Sequence, residues 1–181
     1  MKPYLIPITL LLAAAAPAHL TGEWLVPPDR ETLDTIENVR NSLKMKTVYV
    51  GRGETPENWT RRITLWSYPG RVDGRAAFAE SMTGLRQDIL TDCPGATASA
   101  LRLFDWADRP AAEFGVVCML YPITGRPDIY LVRVIQGRTG RVASAITFRR
   151  PPTDAETGAA RDYLDALLLC TPASALPACH Q

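Results

Sequence analysis

From Ser99 to Arg150 apolar and polar side chains alternate, and nothing else in the chain limits its fold as strongly. Leu101 and Leu103 fall opposite Arg102, Phe104 and Trp106. Phe114, Val116, Cys118 and Leu120 share one face, with Val117, Met119 and Tyr121 on the other. Successive side chains of a strand point to opposite faces, so this two-residue period predicts strands. Two more strands, over 129–136 and 142–148, flank Gly137-Arg138-Thr139-Gly140-Arg141, which reads as a hairpin loop. Four strands with short connections make an antiparallel meander.

The remaining elements are shorter. Residues 47–50 form a strand closed by Gly51-Arg52-Gly53, and residues 62–68 form another, with Ile63 and Leu65 facing one way and Trp66 and Tyr68 the other. Bulk on both faces implies that each is covered. After Pro27-Pro28-Asp29, Leu33, Ile36, Val39 and Leu43 are spaced by three, three and four, which predicts a helix. Phe78, Met82, Leu85 and Ile89 predict a second, with Asp73 available as a cap, Gly84 weakening it, and Thr91-Asp92-Cys93-Pro94-Gly95 ending it. Thr153-Asp154-Ala155-Glu156 is a capping box that opens a last helix, directing Leu164, Leu167 and Leu168 to the core. Pro172 and Pro177 make the tail irregular. The expectation is an α+β domain: an antiparallel sheet of about six strands flanked by two or three helices, with two disulfides. It occupies 19–181 as a single domain.

Residues 1–18 read as a signal peptide. Met1-Lys2 is a short positive start, residues 4–16 are uncharged and mostly apolar, and Ala16-Pro17-Ala18 fits the small-x-small cleavage rule, so the mature chain is expected to begin at His19. No later stretch approaches the twenty or so apolar residues of a membrane span. The expected location is periplasmic or secreted. The chain carries 20 basic and 19 acidic residues, and loss of Lys2 leaves the rest neutral. Neutrality argues against specific nucleic-acid binding, which rests on phosphate neutralisation.

Cys93, Cys118, Cys170 and Cys179 read as two disulfides in an exported chain. Sequence admits three connectivities. Pairing neighbours, Cys93–Cys118 and Cys170–Cys179, is preferred, with loop-closure contributions of about 3.5 and about 2.7 kcal/mol. No Cys-x-x-Cys occurs, so neither thiol exchange nor a zinc knuckle is indicated.

Residues 53–65, from Gly53-Glu54-Thr55 through Trp59-Thr60 to Thr64-Leu65, resemble a stretch of an uncharacterised family of small secreted bacterial proteins: a Glu and a Trp-Thr pair leading into a Thr-containing strand. Cys93-Pro94-Gly95 and the carboxy-terminal cysteine are similar as well. The resemblance implies export and small size and carries no catalytic residue. In the residues themselves, Trp59 caps a loop onto the sheet. The order of elements is similar to Mog1/PsbP-like domains, by analogy.

A hydrolytic triad needs a histidine, and the only two, His19 and His180, lie at the extremes of the chain. Paired carboxylates remain, because glycoside cleavage needs only two acids across a bond. Asp105, Asp108 and Glu113 lie near Trp106 and Phe114, which could stack on a sugar ring; alternatively Asp105 and Asp108 shape a turn. No nucleotide loop or metal-ligand cluster is completed, so no cofactor or metal is expected. Between Arg126 and Arg150 six arginines face one acid, Asp128, while residues 151–181 carry a net −3. Arg133, Arg138, Arg141 and Arg149 therefore form either an exposed basic surface for an acidic ligand or envelope protein, or internal partners of the last helix. Two functions stay open: a non-catalytic domain binding a ligand or another envelope protein, and a small carboxylate-dependent hydrolase.

Overall fold

A computed structural model of the chain describes residues 22–41, 44–122 and 125–180. The expected leader over 1–18, the start at His19, and Leu43 lie outside them. In chain order the elements are β1 (Trp24–Val26), β2 (Leu33–Arg40), β3 (Met45–Gly51), β4 (Arg62–Pro69), α1 (Arg75–Asp92), β5 (Thr97–Ala98), β6 (Arg102–Trp106), β7 (Arg109–Tyr121), β8 (Arg126–Gln136), β9 (Gly140–Phe148), α2 (Asp154–Asp165) and β10 (Leu168–Cys170).

Eight of these strands form one antiparallel sheet in the order β2-β3-β4-β9-β8-β7-β5, with β6 also on β7. The chain builds β2, β3 and β4 as one meander and crosses by α1 to the far edge. It then returns through β6, β7, β8 and β9 until β9 lies against β4. β5 and β6 lie end to end along the outer side of β7, which pairs at Thr97↔Val117 and at Arg102↔Glu113. β1 and β10 form a separate two-stranded ribbon.

This corrects the expectation of about six strands and two or three helices: among the described residues there are ten strands and two α-helices. The helix expected from Leu33 is strand β2. Its β-branched Thr35, Ile36 and Val39 suit a pleated backbone, and its register slips between Thr35 and Glu37. That bulge inserts Ile36 and turns a two-residue period into one resembling a helix. β1, β5 and β10 are too short to show alternation. The last helix stops at Asp165, so Leu168 joins β10. On β7 the register also slips between Cys118 and Tyr121, which puts Met119 and Leu120 into solvent at 57% and 67% exposure.

Alternation along β8 divides the core. Leu131 and Ile135 face one side, where they pack with Ile63, Ile146 and α2's Ala160 and Leu164. Val132 and Val134 face the other, with Phe114, Ala143, Ala145 and α1's Phe78 and Met82. The two helices therefore cover opposite faces. α2 is closed by the expected capping box, with Thr153 and Glu156 bonding reciprocally. α1 is not capped by Asp73: Gly74 holds the N-cap position with no side-chain bond, while Asp73 pairs with Arg71 at 3.3 Å. The Cys93–Cys118 disulfide ties the end of α1 to β7, and Cys170–Cys179 ties β10 to the tail.

Candidate functional site

α1 covers only part of its face. Of its residues just Phe78 and Met82 are buried, and its Leu85–Ile89 flank looks onto a cleft of about 750 Å³ above β3, β4, β9 and β8. The sequence explains the hollow. Across the middle of the sheet Thr64 pairs with Ala145 and Trp66 with Ala143, so β9 contributes methyl groups where its neighbours carry large side chains. The walls come from Val48, Trp66, Phe114 and Val132.

Polar groups sit at the ends of this apolar floor. At one end Arg62, Thr147 and Tyr130 form a cross-strand row with Asp128 beyond it. Arg62 approaches Asp128 at 3.7 Å and lies over the Trp59 ring at 5.1 Å. Burial raises the Asp128 carboxyl above its ordinary range despite Arg62, and burial together with Asp128 raises the Tyr130 phenol. On the β2–β3 side Lys46 and Glu37 pair at 2.7 Å. At the other end Tyr68 and Arg141 are register partners. Arg141 Nη1 donates to Ser81 Oγ at 3.3 Å, and its buried Nε has no partner.

The expected basic surface does not form, because its four arginines are dispersed. Arg133 is wholly buried and is corrected to an internal partner. It bonds Glu113 at 2.8 Å and Asp165 of α2 at 2.6 Å, with its guanidinium 5.1 Å from the Phe104 ring. Arg138 is exposed at the β8–β9 turn, and its backbone N–H donates to Glu23. Arg141 lines the cleft. Arg149 donates to the carbonyls of Trp59 and Glu57 and stacks on the Trp59 ring at 4.6 Å. The Trp59 ring thus contacts two guanidiniums, while Glu54 accepts from the backbone of Gly51 and Thr60 and from the Thr60 hydroxyl. The Glu and Trp-Thr stretch is a loop clamp at the entrance to β4.

The acid and aromatic cluster does not form either. Asp105 pairs with Pro110 in the register and Glu113 with Arg102, so the two carboxylates project from opposite faces of the sheet. Asp105 is exposed and bonds Arg75; Asp108, at φ 60°, shapes the β6–β7 turn with Ala107; Trp106 packs into the core. Glu113 is buried, and burial opposes its ionisation. Hydrogen bonds from Arg161, Arg133 and Arg102 outweigh that and hold its carboxyl below the ordinary range, the reverse of a general acid. His180 donates from Nε2 to the Ser174 carbonyl.

Alternation hid the cleft because it reports burial and not depth. The usable signal was Ala143 and Ala145 on a strand whose neighbour carries Trp66 and Tyr68. Among the described residues no group of three or more His, Cys, Asp or Glu could hold a metal ion, and no helix is long and apolar enough to cross a membrane.

No family model matches the chain, and no curated protein does. Among solved structures it is similar to the apo structure of immunity protein TplEi of T6SS from Pseudomonas aeruginosa, at 18% identity and a TM-score of 0.44. The likeness covers 72% of this chain and 45% of that one, so the chain spans less than half that protein's length.

Proposed function

We propose that this chain is a non-catalytic binding domain of the periplasm or the extracellular space, and that its ligand lies in the cleft beside α1. The cleft carries the reading: about 750 Å³ with a mostly apolar floor and charged groups toward its ends falls within the 300–1,000 Å³ typical of small-molecule sites. The two formed disulfides suit an oxidising compartment. The hydrolase alternative has little support. Of the cleft's carboxylates, Glu37 is on β2 and Asp128 on β8, four strand spacings apart, or about 19 Å along the sheet at about 4.8 Å each. Paired glycosidase carboxylates stand about 5 to 9.5 Å apart.

The test uses a neutral apolar probe. Nile red should bind the oxidised protein at one site, and Ala145→Phe should abolish binding by filling the floor without lowering the melting temperature by more than a few degrees. Should that variant misfold, Thr64→Phe serves the same purpose. Equal binding to wild type and a folded filled variant would place the site elsewhere.

A further inference from the structure

The cleft's charges are not balanced. Lys46 is paired with Glu37 at 2.7 Å and Arg62 faces Asp128 at 3.7 Å. Among the described residues Arg141 has no carboxylate within salt-bridge distance; its one side-chain partner is the Ser81 hydroxyl at a long 3.3 Å, and its Nε, like that of Arg62, is buried and unbonded. A partly buried guanidinium with open donors is costly, and a planar fork is suited to an oxyanion held by two parallel bonds. Tyr68, its cross-strand partner, and Ser81 add hydroxyl groups beside it. From this end the apolar floor runs along β4 from Tyr68 toward Arg62, about 20 Å at about 3.4 Å per residue.

Resting on the cleft reading above, we infer that the ligand is a single-chain amphipath with one carboxylate head: the head is held by Arg141 with Tyr68 and Ser81, and the hydrocarbon tail lies over Ala143, Ala145 and Trp66. One uncompensated cation calls for one negative charge, and the apolar floor that starts beside it gives a hydrocarbon chain a surface to lie on. The far end, already occupied by the Arg62–Asp128 pair, would repel a second anionic group through Asp128.

The experiment is titration calorimetry of the oxidised protein with dodecanoate and dodecyltrimethylammonium below their micelle concentrations and dodecanol below its solubility limit. Dodecanoate should bind at least tenfold tighter than dodecanol, and dodecyltrimethylammonium weakest. The preference should survive raised salt, because a partly buried pair is screened less than a surface one. Arg141→Gln should remove the gap between dodecanoate and dodecanol measured on the same variant; Tyr68→Phe should narrow the gap, and does so independently if Arg141→Gln fails to fold. Equal affinities for dodecanoate and dodecanol in the wild type would overturn the carboxylate assignment and leave the cleft reading standing. No binding of any of the three overturns this inference, and Nile red then decides separately whether the cleft binds anything.

Discussion

At Glu113 one side chain serves three arginines from three elements: Arg102 on β6, Arg133 on β8 and Arg161 on α2. Removing one partner of a buried pair leaves the other charge uncompensated, at a cost of about 3–5 kcal/mol. Glu113→Gln should therefore lower the denaturant midpoint markedly at pH 7. It should also change the pH dependence. The folded pKa lies below the ordinary 4.5, so the stability Glu113 contributes is fully present above that value and is lost as pH falls through the folded one. The variant should lose less stability than the wild type between pH 5 and 3; parallel curves would show that Glu113 does not titrate in that range. Gly140 offers a steric counterpart. A Cβ there would stand 2.1 Å from the Tyr68 carbonyl oxygen, which is backbone and cannot move aside. Gly140→Ala should cost about 1–3 kcal/mol by chemical denaturation. The burial of Arg133 was legible in part, since it falls between Leu131 and Ile135 on one apolar face of β8. Its pairing with the last helix was one of the two sequence readings and is met at Asp165; Glu113 was not legible, because it reaches Arg133 from another strand.

At the scale of elements, the two helices differ in how they are held. α2 has a complete capping box, so Thr153→Ala should cost about 1 kcal/mol, measurable as a lower melting temperature. α1 has no side-chain cap and buries two residues, and the Cys93–Cys118 disulfide fixes its far end to β7. Paired Cys93→Ser and Cys118→Ser substitutions should raise amide exchange first in the last turns of α1, with β8 and β9 protected until global unfolding. Simultaneous exchange of helix and sheet would show that α1 is held by its packing alone. Elements longer than about five residues were readable where their period was clean, as in β4, β7, β8, β9 and α2. β2 was not, because one bulge converted its period.

For the whole molecule, acid stability sums over groups of opposite sign. Asp29 lies below its ordinary range: burial raises it, but bonds from Tyr163 and Arg61 prevail, so like Glu113 it contributes stability that disappears as pH falls. Asp128 lies above its ordinary 3.8 and does the reverse, becoming less unfavourable as it is protonated. The melting temperature should hold from pH 7 to about 5 and fall below about 4, with Asp128→Asn raising the plateau and leaving the descent in place. The pairing of β4 with β9 across more than seventy residues had no local signature, and neither did the ribbon of β1 with β10. That ribbon has a mechanical consequence. Trp24 pairs with Cys170 and Val26 with Leu168, so traction applied at the two ends of the chain meets the ribbon at one edge and peels it bond by bond, the compliant geometry, instead of shearing it. Tension from the tail crosses the Cys170–Cys179 bond, so residues 171–178 are slack while it is oxidised. Under a force clamp, reduction should add the length of that segment before the large sheet gives way.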